Sequence, residues 1–341
     1  MRGAESTRTY LPSSLPGRQP PAPGRYHPRV LPYLLRRLAW AVPVSLLVAS
    51  VVFALIHLVP GDPVEAMLGD GARAADVEAL RARLGLDRPL GEQYAAFLGG
   101  LVRGDLGTSL TTGRPVAEML AEHYPATLEL ALAALLVALA VALPLGAVAA
   151  VRRGGPADHA ARAFALAGVS IPNFWLGPVL ILVVAIRWDL LPVSGRQGLA
   201  SLVLPAVTLG TAMAGLLTRI VRSALAGELE RPYTLTARAK GVGRRAVVWR
   251  HALRNALVPV VTVAGLQFGT LLTGAVITET IFAWPGLGRL LIQSIRLRDY
   301  PVVQGAVLAI ALTYVLVNLA TDATYVAIDP RIRVGRGSEA A

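Results

Sequence analysis

The residue types that carry most enzyme chemistry are sparse in this chain and do not cluster. Its five histidines stand at 27, 57, 123, 159 and 251. They are too scattered for the group of His, Asp or Glu at one depth that a membrane enzyme needs. Cysteine is absent, which excludes a disulfide, a thiolate nucleophile and a cysteine metal site. A phosphate-binding loop requires Gly-Lys-Ser/Thr, its lysine reaching the phosphates. The single lysine, Lys240, is followed by Gly241, so the chain has no such loop. Gly241-Val-Gly-Arg-Arg-Ala246 mimics G-x-G-x-x-A, but it follows a helical pattern rather than a strand, which argues against a dinucleotide site. No catalytic residue, metal or cofactor is assigned.

The remaining polar residues of interest lie inside apolar runs. Thr211, Gln267, Thr270, Gln304 and Asn318 are candidates for lining a hydrated path. Each is equally suited to a helix–helix hydrogen bond. Charge is nearly absent from these runs: His57, Glu129, Glu279 and Asp322 stand near their ends and read as interfacial or capping residues. Gradient-driven carriers accept the cost of a midplane charge, about 2.5–3.5 kcal/mol on the insertion scale, at their coupling sites. No such charge is evident here. Gly265 and Gly269 form G-x-x-x-G, a face for close helix approach.

The elements that must position these residues follow from hydropathy. Hydrophobic residues make up 54% of the 341 and charged ones 16%, with a mean hydropathy of +0.56; soluble domains carry about 25% charged residues. Six apolar runs, about 38–59, 127–151, 163–186, 202–221, 257–278 and 302–321, are each long enough to cross a bilayer. The expected fold is all-α: a polytopic bundle of six spanning helices at 35–329, between a disordered tail at 1–34 and a short tail at 330–341. Residues 60–125 are too long for a simple connector and contain short helical signals at 76–84, 90–102 and 115–123, read as a cap on the outer side.

The net charge is +12. With the N-terminus inside, the segments 1–37, 152–162, 219–254 and 328–341 hold 22 of the 33 basic residues. The opposite segments 60–125, 187–201 and 282–301 hold 11. This asymmetry is the positive-inside pattern and puts both termini in the cytoplasm. Because the basic charge follows topology and forms no single face, nucleic acid is not expected as a partner; membrane lipid is.

The segment 222–255 carries eight basic residues and two acidic ones. Pro232 can open a helix that runs through Tyr233 to Lys240, Gly241 stops it, and Arg244 to Leu257 reads as a second helix entering the fifth span. Small residues at Ala237, Ala239 and Gly241 let a partner approach the backbone. The short helix is therefore suited to seating in a partner's groove. Read from the residues alone, a basic loop facing anionic lipid fits equally well.

The stretch TARAKGVGRRAVVWRHALRNALVPVVT at 236–262 resembles the coupling loop of ATP-binding-cassette importer permeases, E-A-A-x-x-x-G followed by I-x-L-P. Gly241 stands at the family glycine, and Thr236 and Ala237 at its alanines. Leu235 replaces the glutamate, and His251-Ala-Leu-Arg254 replaces Ile-x-Leu-Pro. IHLVPGDPVEAMLG at 56–69, LGLDRPLGEQYAAFLGGLVRGDLGTSL at 84–110, PATLELALAALL at 125–136 and SIPNFWLGPVLIL at 170–182 are similar to the dipeptide, oligopeptide and nickel class. So are ETIFAWPGLGRLL at 279–291, RDYPVVQGAVL at 298–308 and DPRIR at 329–333. Their order and spacing match the first permease subunit of that class.

The resemblance implies a membrane subunit of a bacterial inner-membrane importer. Its partners would be a second homologous permease, two ATPase subunits that bind ATP and Mg, and an extracytoplasmic solute-binding protein. Ala237, Arg238, Lys240, Gly241 and Arg250 would couple it to an ATPase. Di- or oligopeptides are the leading cargo. A stand-alone channel or gradient-driven carrier is the alternative.

Overall fold

The computed structural model describes residues 30–58, 63–68 and 73–328. Those residues are almost wholly helical. α1 (Val30–Leu58) is followed by three short helices, α2 (Pro63–Leu68), α3 (Ala74–Leu84) and α4 (Leu90–Arg103). Then come α5 (Val116–Val151), α6 (Pro156–Ser170) and α7 (Asn173–Leu180), the last continued by a π-helical turn at Ile181–Arg187. The long α8 (Leu199–Leu229) leads to α9 (Pro232–Ala239) and α10 (Arg244–Ala246). A second π-helical stretch, Val247–Ala252, joins α10 to α11 (Leu253–Ile281); α12 (Leu287–Arg296) and α13 (Tyr300–Ile328) complete the fold.

Five helices are long and apolar enough to cross a membrane uninterrupted: α1, α5, α8, α10–α11 and α13. The run expected as the third span does not form one helix. It is divided between α6 and α7, which meet at 102°, and counts as a sixth span only if the bent pair is taken together. The cause is Pro172. Its ring excludes the helical conformation from the preceding residue, and Ile171 is extended at φ −82°, ψ 117°.

Other boundaries differ from the hydropathy reading. The cap helix expected at 115–123 is the first part of α5, which runs on through Pro125 for 36 residues, about 54 Å at 1.5 Å per residue. α1 begins at Val30, so residues 30–34, expected in the tail, are helical; the rest of that tail and residues 330–341 lie outside the described residues.

α5 and α8 form the centre of the packing. The inner face of α5 is a run of small residues, with Ala126, Leu130, Ala134, Ala138 and Ala142 fully buried. Backbones therefore approach closely. A Cβ on Gly210 of α8 would stand 2.6 Å from the Ala134 carbonyl oxygen, and one on Gly146 of α5 would stand 2.9 Å from that of Thr218. With no water to expel between helices in lipid, such close contact is what holds them. Gly269 of the expected G-x-x-x-G pair faces the Tyr314 ring and Gly265 faces Thr321, so this motif packs α11 on α13.

Carboxylates tie the end that carries α2–α4 and α12. Glu279, fully buried at the end of α11, accepts from the Thr127 hydroxyl at 2.7 Å and the Arg289 N–H at 3.0 Å. It thus caps the start of α12 and links it to α5, the capping role expected of it. Asp299 accepts from the Ser109 hydroxyl at 2.5 Å and from the Leu110 and Thr111 N–H groups, each at 3.2 Å. Glu129 pairs with Arg196 at 2.6 Å, and His57 Nε2 lies 3.1 Å from the Gln93 side-chain oxygen. The Asp322 side chain is outside the described part.

Candidate coupling site

The loop between α8 and α11 is built as a helix held at both ends. α8 spans about 46 Å at 1.5 Å per residue, against a hydrocarbon core of about 30 Å, so one end projects from the membrane. At Arg231 the chain becomes extended (φ −68°, ψ 146°) and Pro232 opens α9, where its missing N–H costs nothing. The Thr234 hydroxyl turns back to carbonyls at the end of α8 and to Arg231, the shortest bond being 2.7 Å. Thr234 is the one buried residue of α9.

α9 ends in a complete left-handed cap. The Gly241 N–H donates to the Arg238 carbonyl at 2.9 Å and the Val242 N–H to the Ala237 carbonyl at 3.1 Å. This reciprocal pair needs a residue at positive φ, and Gly241 has φ +80°. Its Cβ position is open, with no heavy atom within 4 Å. Glycine here satisfies a backbone requirement and leaves bare surface around the turn.

Side chains brace the loop against the spans. The Tyr233 hydroxyl donates to Glu228 at 2.6 Å and receives the Asn255 amide at 2.9 Å, so α8, α9 and α11 share one polar junction. Partial burial first, and then the Glu228 carboxylate, raise the Tyr233 phenol above its ordinary value, so it remains a donor. Arg244 caps α5 by donating to the Val151 carbonyl at 3.0 Å, and Arg153 pairs with Glu230 at 2.9 Å. Beneath them Asp158, fully buried, takes Arg222 in a two-point pair at 2.5 and 2.9 Å and the Gly154 N–H at 2.9 Å.

The five residues expected to face an ATPase are close in the chain and mostly open to solvent. Arg238, Lys240, Gly241 and Arg250 are exposed and Ala237 is half-buried. Leu235, which stands at the family's glutamate position, is 53% exposed. It shares the outward face of α9 with Ala239, also exposed. Seven of the eight α9 residues thus keep surface available, on an element whose two ends are fixed.

Two family matches cover nearly all of the described chain. "Binding-protein-dependent transport system inner membrane component" matches residues 142–334, and the corresponding N-terminal family matches 30–131. The chain belongs to this family.

Among relatives of this transport-system component, the dipeptide transport system permease protein DppB of Escherichia coli K12 is 44% identical over 89% of this chain and 99% of that protein. The di/tripeptide transport system permease protein DppB of Pseudomonas aeruginosa UCBPP-PA14 is 45% identical over the same shares. The glutathione transport system permease protein GsiC of Pectobacterium atrosepticum is 42% identical, again over 89% and 99%. In three dimensions the chain resembles the MetNI methionine ABC transporter in an inward-facing form. The TM-score is 0.50 at 22% identity, covering 62% of this chain and 96% of that one, a likeness of fold.

The five polar residues proposed to line a path in this family member lie on three helices. The hydroxyls of Thr211 (α8) and Thr270 (α11) bond carbonyls of their own helices at 2.5 and 3.3 Å. Gln304 of α13 reaches across to the Val52 carbonyl of α1 at 3.0 Å, a helix–helix bond. Gln267 is half-buried on α11. Asn318 is half-buried on α13, and its Oδ1 is buried without a partner among the described residues. No hydrogen bond among the described residues joins any two of the five.

Sequence reasoning missed the Asp158–Arg222 pair and the Asp299–Ser109 contact, which join positions 64 and 190 residues apart. It also missed the Tyr233–Asn255 junction. No local pattern announces any of them.

Proposed function

We propose that this chain is one of two homologous permeases in a bacterial inner-membrane importer for di- or oligopeptides, with both termini in the cytoplasm. Two ATPase subunits bind ATP and Mg and dock on the cytoplasmic side, one of them against α9. An extracytoplasmic binding protein delivers cargo to the opposite face, formed by α2–α4, the start of α5 and α12. ATP-driven closure of the ATPases moves α9, and the bundle alternates between facing out and facing in.

The observation that carries this reading is α9 itself. It is an exposed helix with a fixed glycine cap, braced to α8 and α11 and lying within the region matched to the family. A push on it reaches two spans at once. The cargo assignment leans on relatives named for dipeptide, di/tripeptide and glutathione transport, all of which carry short peptides. Orientation leans on the arginine excess in 152–162 and 219–254. These two segments meet through Arg153–Glu230 and Asp158–Arg222.

The test is gentle purification of the tagged chain from its native membrane, followed by reconstitution. Two ATPase copies (or two related ATPases) and a second permease should accompany it. Dipeptide uptake should require the binding protein and ATP. Recovery of the chain alone, moving solute without ATP, would replace this reading with a stand-alone channel or carrier.

A further inference from the structure

Where α5 ends, its flank meets a basic cleft that no residue of α9 lines. Val148, Val151 and Arg152 form one wall, and Arg244, Arg245 and Trp249 the other, around a volume of about 400 Å3. No acidic residue lines it. Arg244 is spent on the Val151 carbonyl. Arg152 and Arg245 are exposed and have no ion-pair partner among the described residues. Arg153 next door is different, being neutralised by Glu230. Trp249 is 55% exposed, an amphipathic ring of the kind that settles at headgroup depth.

The cleft continues into an apolar track. Along α5 every fourth residue from Leu132 through Leu136, Ala140 and Pro144 to Val148 is exposed. The residues between them are buried or half-buried. The next position in this row is Arg152. An apolar row about 24 Å long, by 1.5 Å per residue, winding slowly around α5 as such rows do, thus ends in two uncompensated guanidinium groups and a tryptophan. That order, acyl-chain surface and then cationic pocket, matches one lipid molecule lying against the helix.

We propose that this cleft is a binding site for the headgroup of an anionic phospholipid, with an acyl chain along the exposed row of α5. Arg152 and Arg245 hold the phosphate and Trp249 packs over the glycerol region. Because Val248 and Ala252 bury against Ala147 and Ala150 beside the cleft, a bound lipid would brace the end of α5 against the root of α11. Assignment to the inner leaflet rests on the cytoplasmic placement of the loop proposed above; the site itself does not.

The test uses the assembled complex, delipidated in mild detergent, titrated with phosphatidylglycerol or phosphatidylcholine and read by native mass spectrometry. Wild-type complex should bind phosphatidylglycerol at least tenfold more tightly. An Arg152→Gln, Arg245→Gln variant should lose most of that preference, while Arg103→Gln, an exposed arginine at the other end, should keep it. Arg244 is left intact because it caps α5. Equal binding of the two lipids, or an unchanged preference in the double variant, overturns the proposal. So does phosphatidylglycerol binding only after the ATPases are stripped away, which would make the cleft a protein contact.

If the double arginine variant fails to fold, brominated lipids answer with both arginines intact. The fluorescence lost on changing Trp249→Phe should be quenched by brominated phosphatidylglycerol and far less by brominated phosphatidylcholine. Equal quenching refutes the site. A micelle has no inner leaflet, so these results stand apart from topology. Labelling a cysteine placed at Arg238 in right-side-out and inverted vesicles tests that separately.

Discussion

Substitution of Gly241 separates the two things its turn supplies, a backbone conformation and an open surface. The cap holds two hydrogen bonds, 2.9 Å to Arg238 and 3.1 Å to Ala237, on a residue at φ +80°. A non-glycine residue at positive φ costs about 1–2 kcal/mol, a factor of about 5–30 in population. Since a Cβ there meets nothing within 4 Å, Gly241→Ala carries the backbone cost alone. Gly241→Asn carries less of it, because asparagine tolerates that region. Gly241→Trp carries the alanine cost plus an indole on the surface proposed to meet the ATPase.

The three variants therefore make an ordered series. If only the turn matters, Ala and Trp should behave alike and Asn should sit between them and wild type. If docking also matters, Trp should fall well below Ala. The assay is peptide uptake and ATP hydrolysis measured together in proteoliposomes containing the full complex, with membrane content of each variant checked by blotting. We expect uptake to fall in the order Asn, Ala, Trp, with ATP consumed per peptide rising and hydrolysis persisting. Normal uptake at a normal ATP-to-peptide ratio by the Trp variant would refute the coupling role assigned to α9.

Other outcomes follow from packing. Glu279→Ala leaves the Thr127 hydroxyl and the Arg289 N–H buried without their acceptor. At about 1–3 kcal/mol for each such group, it should lower the unfolding midpoint in detergent clearly more than a change at exposed Glu118. Asp158→Asn and Arg222→Gln should each lower the same midpoint, and the double variant should lose less than their sum, because either change already breaks the pair; full additivity would dismiss it. Gly210→Val places atoms against the Ala134 carbonyl, an overpacking worth about 1–3 kcal/mol, and should reduce the folded yield. Asp299→Asn should increase protease cleavage within 104–115 by releasing Leu110 and Thr111.

What the sequence made legible was whatever depends on solvent or on short spacing. Lipid as solvent produces long apolar runs, and five of them became continuous helices. Gly241 was readable because a left-handed cap has a one-residue signature, and its φ of +80° follows. Gly265 and Gly269 were readable because close approach needs small residues four apart. Hydropathy is blind to backbone direction and so did not show that the third apolar run is bent; Pro172 carried that signal, and the two helices meet at 102°. Hydropathy did not join residues 115–123 to the second span, because Glu118, Glu122 and His123 interrupt the apolar pattern; α5 runs on through them and through Pro125. Polar junctions such as Asp299 with Ser109, 190 residues apart, have no trace in local pattern, since their partners are chosen by the fold.

The distribution of those junctions bears on how force would travel. Among the described residues the carboxylate ties between elements lie at the two ends of the bundle: Asp158, Glu228 and Glu230 at the α9 end, Glu129, Glu279 and Asp299 at the other. Between them α5 and α8 touch at backbone level through Gly146 and Gly210, with little compressible side chain in between. A displacement of α9 enters α8 through Thr234 and Tyr233, and α11 through Asn255. α8 cannot slide far on α5 without a clash at these glycines, so α5 and α8 should move as one body. Gly215 of α8 meets the Ala165 carbonyl of α6 as closely, and Asp158 ties α6 to Arg222, so relative motion is left to the elements joined less tightly, α1 with α13 and α7 beyond the Pro172 bend. Disulfide cross-linking separates the cases: a bridge between α5 and α8 should leave uptake intact, whereas one fixing α7 to α11 should stop it. Loss of uptake from the α5–α8 bridge would show that the two helices slide, and would remove the rigid core from this account.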